Sequence, residues 1–413
     1  MSRSPLNRVS VSSAVALACL AQAGSAMAQE PVPAAQPTLV GRAVLPADTF
    51  APGPPSGALL GSTPINGRTA PFPAQPMQGI SGILRTSRRG TYLGLADNGF
   101  GAKGNSADFL LRLYSLRPDF RRGDNTTGTI RVGAFIQLRD PYRRIPFPIV
   151  NEATPDRLLT GADFDPESVR RDAEGDLWFG EEFGPFLLHT DARGRVQEAP
   201  IPLAGVKSPQ NPTLAAGEVP NLPRSGGFEG TAISPDATKL YPMLEAALTD
   251  DPDQRRRFIH EFDIRSRAYT GTRFQYRTEQ PGHAIGDLTS VGSDRLLVIE
   301  RDNLQGDAAA FKKLYLIDLS ATDAEGFLVK REVVDFLAVG DPLGISEPPR
   351  EGDTGIGSTF RFPFQTIESV LPLGPRRLLV LNDNNYPFSA GRNPSRPDDT
   401  EAIILRVPGL EGD

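Results

Sequence analysis

Four carboxylate pairs in this 413-residue chain recur at nearly constant spacing. Glu167 and Glu181 are 14 residues apart, Glu229 and Glu245 16, Asp287 and Glu300 13, and Glu368 and Asp383 15. Each gap is close to one β-hairpin, and in an antiparallel hairpin the start of one strand lies beside the end of the next. Both acids of a pair are therefore expected at one sheet edge, with Ser81 and Asp97-Asn98 as a weaker version of the pattern. Carboxylates at close quarters cannot all stay ionised without compensation. Several oxygen ligands in irregular geometry suit a hard cation, calcium above all. The candidate Ca²⁺ ligands are thus Glu167, Glu181, Glu229, Glu245, Asp287, Glu300, Glu368 and Asp383. The competing reading pairs some of them with arginine or with loop N–H groups.

The candidate catalytic groups are Glu181, His283 and Arg301. His283 follows Gln280-Pro281-Gly282 just before Asp287, where an imidazole would serve as general base or ligand. Arg301 is either an ion-pair partner inside the acid set or an anion-binding group. His189 and His260 fall in strand-like runs, where packing is the simpler role, and Trp178 is expected to fill the core behind Glu181. There is no Gly-x-Ser-x-Gly elbow, no phosphate-binding Walker loop and no His-Glu-x-x-His, so serine hydrolase, nucleotide hydrolase and zincin chemistries have no support.

The elements that must carry these acids repeat. One phrase recurs five times: a short apolar strand, a tight turn, a second apolar strand and an acidic exit. The turns are Ser87-Arg88-Arg89-Gly90, Asp172-Ala173-Glu174-Gly175, Ser234-Pro235-Asp236-Ala237, Gly292-Ser293-Asp294 and Leu373-Gly374-Pro375. Each copy is followed by a third strand-like run and, except in the last, by a fourth. The pattern predicts an all-β propeller of four-stranded antiparallel blades, five by count with six as the rival. The orphan run Thr38 to Leu45 would supply the missing strand of the last blade and close the ring. A β-sandwich is the competing fold. In a propeller the first strands line the axis, so the acids converge at one mouth. The long connections (99–109, 139–164, 203–227, 246–256, 301–312, 338–366 and 384–400) fall on that edge, where binding residues usually sit.

Composition agrees with a loop-rich β protein: 41 Gly and 39 Pro imply many turns. The formal charge of −6 gives no basic footprint for nucleic acid. Residues 1–28 read as an export signal, with Arg3 and Arg8, the apolar stretch Val9 to Leu20 and a cleavage site at Ala26-Met27-Ala28. A retained membrane anchor or an acylated Cys19 are the competing readings. Cleavage would remove Cys19, the only cysteine, leaving no thiol or disulfide chemistry. The expected product is periplasmic or secreted, monomeric and free of the membrane. Residues 29–78 form a Pro/Ala/Gly-rich segment containing the ring-closing strand, and residues 79–413 form the propeller domain.

Three phrases, Thr160 to Ser168 (TGADFDPES), Trp178 to Pro185 (WFGEEFGP) and Gly227 to Gly230 (GFEG), resemble the bacterial phytase-like family, also described as esterase-like activity of phytase. The resemblance covers roughly residues 79–410. It implies an exported β-propeller that hydrolyses phosphate or carboxylic esters. Two functional classes follow. One is a Ca²⁺-dependent hydrolase of a small ester or phosphoester, with Arg301 or the loop residues Lys103, Lys207 and Arg392 neutralising the anion. The other is a non-catalytic binding propeller with structural calcium. With only six lysines, the chain is poorly suited to phytate, a polyanion, and better suited to a neutral ester.

Overall fold

A computed structural model describes residues 1–2, 36–123 and 126–410. The expected export signal, its cleavage site and Cys19 fall outside the described residues. Among those residues no α-helix occurs, and no helix is long and apolar enough to cross a membrane. Contacts gather residues 35–413 into one unit.

Strand β1 (Thr38–Leu45) is followed by the short pair β2 (Phe50–Ala51) and β3 (Gln75–Pro76). Then come antiparallel groups. The first is β4 (Ile80–Arg85), β5 (Tyr92–Ala96), β6 (Arg112–Asp119) and β7 (Thr129–Gln137). The second is β8 (Pro166–Arg171), β9 (Leu177–Glu181), β10 (Phe186–Thr190) and β11 (Ile201–Pro202). The third is β12 (Phe228–Ile233), β13 (Lys239–Leu244), β14 (Arg256–Asp263) and β15 (Ala268–Arg277). The fourth is β16 (Ala284–Ser290), β17 (Arg295–Arg301), β18 (Lys312–Thr322) and β19 (Leu328–Asp335). After the short pair β20 (Val339–Gly340) and β21 (Thr359–Phe360), the last group is β22 (Thr366–Gly374), β23 (Arg377–Asp383) and β24 (Thr400–Arg406).

The chain end is completed by the chain start. β1 pairs antiparallel with β24 from Thr38↔Arg406 to Leu45↔Thr400, which covers what would be an open sheet edge. A single parallel pairing, Val44 with Thr129, also ties β1 to β7.

The first strands are buried along nearly their whole length, whereas the fourth strands β7 and β15 are almost wholly exposed or half-buried. The first strands touch one another in a cycle: β4 with β8, β8 with β12, β12 with β16, β16 with β22, and β22 with β4. Apolar clusters fill the spaces between successive groups. Leu95, Val169 and Phe179 lie between the first and second, Trp178, Phe228 and Phe262 between the second and third, and Met243, Leu288 and Val298 between the third and fourth. Ile299, Ile367 and Leu405 pack between the fourth and last, and Ile80, Leu381 and Ala43 between the last and first. The tight turns are set by local chemistry. Ser234 Oγ accepts from the Thr238 and Lys239 amides, and Asp172 Oδ1 from the Asp176 amide, with Gly175 at positive φ closing that turn.

Candidate functional site

Each first strand breaks register at the same step. The pairing skips one residue between Ile80 and Gly82, Pro166 and Ser168, Phe228 and Gly230, Ile285 and Asp287, and Ile367 and Ser369. The skipped residues, Ser81, Glu167, Glu229, Gly286 and Glu368, therefore occupy equivalent bulge positions, and a bulge re-aims the side chain it carries. On the second strands, the residues one step past the Ile80↔Ala96 type of pair are Asp97, Glu182, Glu245, Arg301 and Asp383. Their backbones sit opposite Gly79, Asp165, Gly227, Ala284 and Thr366. Small residues at most of those facing positions leave room: a Cβ on Gly79 would strike the Asp97 carboxylate, and one on Gly227 the Glu182 backbone.

The result is a buried group of eight carboxyls: Asp97, Asp165, Glu167, Glu182, Glu229, Glu245, Glu368 and Asp383. Oxygens of Asp165, Glu167 and Glu182 lie within 4.8 Å of one another, as do those of Glu167, Glu229 and Glu368, and those of Glu182, Glu229 and Glu245. The three triads interlock through Glu167, Glu182 and Glu229. Arg301 Nη2 enters the group at 3.1 Å from Glu245, 3.2 Å from Glu368 and 3.9 Å from Glu229.

One guanidinium does not balance eight carboxyls. Burial, with repulsion from neighbouring carboxylates, pushes the Asp97, Glu167, Glu182 and Glu229 carboxyls well above their ordinary range. Burial likewise lifts Asp165 to about 6, Glu245 to about 7 against the pull of Arg301, and Asp383 to about 8. Asp165 with Glu167, and Glu229 with Glu368, stand close enough to share a proton. A cation would fit the same places. Every donor is a hard oxygen, and Glu182 Oε1 is buried with no hydrogen-bond partner among the described residues.

Five of the eight residues expected as ligands, Glu167, Glu229, Glu245, Glu368 and Asp383, stand in this group, and Arg301 stands with them. Three stand apart. Glu181 is one residue short of the cluster-facing position; its carboxyl accepts from the Phe183, Gly184 and Phe186 amides, and burial raises it to about 8. Glu300 is likewise one short: it binds the Tyr276 hydroxyl at 2.6 Å, the Glu279 amide, His283 Nδ1 at 2.8 Å and Lys330 Nζ at 2.9 Å. Asp287 sits one residue past the bulge because Gly286 takes the bulge position, where a Cβ would collide with the Ile367 carbonyl. Its oxygens go instead to Arg170 Nη2 at 2.9 Å and to the Leu288 and Val370 amides. A one-residue slip turns a strand residue to the opposite face, and even spacing cannot reveal it. Glu182 and Asp165 were the residues missed; the bulges that select them leave no mark on acid spacing.

His283 lies in none of the carboxylate triads. It is held by Glu300, packs on Phe311 at 4.1 Å and lines a surface cavity of about 590 Å³. His189 is buried between Trp178, stacked at 4.2 Å, and Glu198, while burial lowers His260 to about 4. Trp178 is fully buried, and its indole N–H donates to Asp172. Of the loop cations, Arg392 is buried against Glu401 and Lys207 pairs with Glu218 at 2.7 Å, so neither is free for an anion. Lys103 lies over the Phe183 ring, its amine lowered by burial.

No curated protein matches this sequence. Among solved structures, the chain is similar to a luciferin-regenerating enzyme (12% identity, TM-score 0.36, covering 79% of this chain and 76% of that one). It is also similar to a GH43 β-1,3-galactosidase (8%, 0.43, 80% and 56%) and to regucalcin, a calcium-binding protein from Agrobacterium tumefaciens (14%, 0.38, 86% and 96%). The family model for phytase-like proteins, described as esterase-like activity of phytase, matches residues 75–386, a span that includes the whole carboxylate group, and the chain belongs to that family.

Proposed function

We propose that this protein is an exported five-bladed β-propeller that hydrolyses a small ester or phosphoester at the carboxylate mouth of its axis, with Ca²⁺ held among the acids. The observation that carries this reading is the interlocked set of carboxylate triads, with the buried, unpartnered Glu182 oxygen inside it. The ligands would be Asp165, Glu167, Glu182, Glu229, Glu245 and Glu368. Bound calcium would polarise the substrate oxygen and lower the pKa of a water. Arg301 keeps the Glu229, Glu245 and Glu368 carboxylates oriented inward. Glu181 shapes the loop beside the site through its three amide contacts, and His283 is too firmly tied to Glu300 to serve the same centre. Family membership favours a hydrolase.

A second reading, a binding propeller whose calcium is structural, is favoured by Arg301. This built-in counter-ion already occupies one position of the acid ring, as a staple would. Assaying the full chain on nitrophenyl phosphate and nitrophenyl carboxyl esters, with Ca²⁺ or with chelator, separates the two. The hydrolase reading expects chelator-sensitive turnover that Glu182→Gln reduces at least about tenfold, equivalent to ~1.4 kcal/mol, and that Glu181→Gln leaves in place. Tight Ca²⁺ binding with no turnover on either panel would decide for the binding propeller.

A further inference from the structure

The opposite edge of the sheets holds a local concentration of arginine. Residues at the ends of all five first strands, Leu84, Arg171, Ile233, Ser290 and Pro372, line a cavity of about 600 Å³ there. Next to it, where the first and last strand groups meet, lies a narrower cavity of about 310 Å³. Five arginines line it: Arg85, Arg88, Arg89 and Arg122 from the first group and Arg377 from the last. Among the described residues no Asp or Glu lines it and none of the five forms an ion pair. Arg85 is tethered across the seam by donating to the Pro372 carbonyl, and Arg122 lies over the Phe120 ring. Tyr92, buried in the wall, has Arg85 and Arg122 close enough for both charges to act on its hydroxyl.

Guanidinium groups stay charged at any working pH, so five of them lining one cavity repel one another. Their fork geometry matches the paired oxygens of phosphate. The chain's net charge of −6 does not reveal this local concentration. Ser81 and Arg85 stand at opposite ends of β4, four residues or about 13 Å apart at ~3.3 Å per residue. A cavity of this size is at the small end of small-molecule pockets.

We propose that this arginine pocket binds a multiply charged phosphate anion at a site separate from the carboxylate mouth. The same chemistry is offered by a soluble organic phosphate and by a lipid phosphate headgroup. The test is calorimetric titration of the full chain with pyrophosphate in the presence of chelator, which removes any cation that could carry the anion to the acids. Binding should weaken steeply with added salt. Arg88→Ala with Arg89→Ala, and separately Arg377→Ala, should each weaken it at least about tenfold, while Arg224→Ala, an exposed arginine in a distant loop, should not. No pyrophosphate binding by the wild type, or binding untouched by the arginine variants, would overturn the proposal. Co-sedimentation with phosphatidylcholine vesicles containing phosphatidic acid, competed by pyrophosphate, assigns the anion to a membrane. Pyrophosphate binding without co-sedimentation assigns it to a soluble phosphate.

Discussion

Protonation is the chain's own answer to crowding at the acid mouth. Asp165, Glu245 and Asp383 have carboxyls raised to about 6, 7 and 8 by burial, and those of Asp97, Glu167, Glu182 and Glu229 are raised well above the ordinary range. Unfolded carboxyls titrate near 4. Between that value and the raised ones, the folded chain holds more protons than the unfolded chain, so its stability is lost as pH rises. Chelated protein should therefore melt at a higher temperature near pH 5 than near pH 8. Calcium should restore most of the difference at pH 8 and little of it at pH 5, where protons already do its work. Thermal unfolding at the two pH values, with chelator and with Ca²⁺, measures this. A chelated protein equally stable at both would mean that charges inside the chain already neutralise the acids.

At the scale of strands, the hairpins, their order and the closure by the orphan run at Thr38 to Leu45 were all legible, because alternation and turn residues mark strands directly. The bulges were not. A residue that loses its ladder partner looks in sequence like any strand residue, which is why Glu181 stood in for Glu182 and Asp287 for the position that Gly286 holds. Nor did sequence show how the closing strand is clasped. Glu401 in β24 is fully buried and accepts from Arg42 of β1 at 2.7 and 3.0 Å and from Arg392 at 2.8 and 3.1 Å. Burial pushes this carboxyl up, but Arg392 and Arg42 together hold it well below the ordinary range. A depressed carboxyl stabilises the fold above its unfolded value near 4 and loses that contribution as pH falls below it. Glu401→Gln leaves two guanidiniums without a counter-charge and should cost about 3–5 kcal/mol at neutral pH in denaturant unfolding. The variant should also lose part of the acid sensitivity seen in the wild type. A cost below about 1 kcal/mol would show that β1 is held by its backbone ladder alone.

Viewed whole, the molecule places its carboxyl cluster where the first strands begin and an arginine-lined cavity where they end. Sequence showed both populations but not their separation, since Arg88 and Arg89 read only as turn residues until neighbouring turns meet at one face. Between the two ends lies a buried ion pair that joins two first strands. Arg170 of β8 reaches Asp287 and the Leu288 carbonyl of β16, although β8 and β16 are not neighbours in the cycle of first strands. Both partners are buried, and Arg170 also lines the turn-side cavity. This assigns Asp287 a load that a calcium ligand would not carry. Asp287→Asn should lower stability by about 3 kcal/mol, because Arg170 is left buried without its counter-charge. It should leave the number of calcium ions bound, and their affinity, as in the wild type. Calorimetric Ca²⁺ titration beside thermal unfolding reads both quantities on one sample. Affinity falling together with stability would return Asp287 to the ligand set and undo the register argument that removed it.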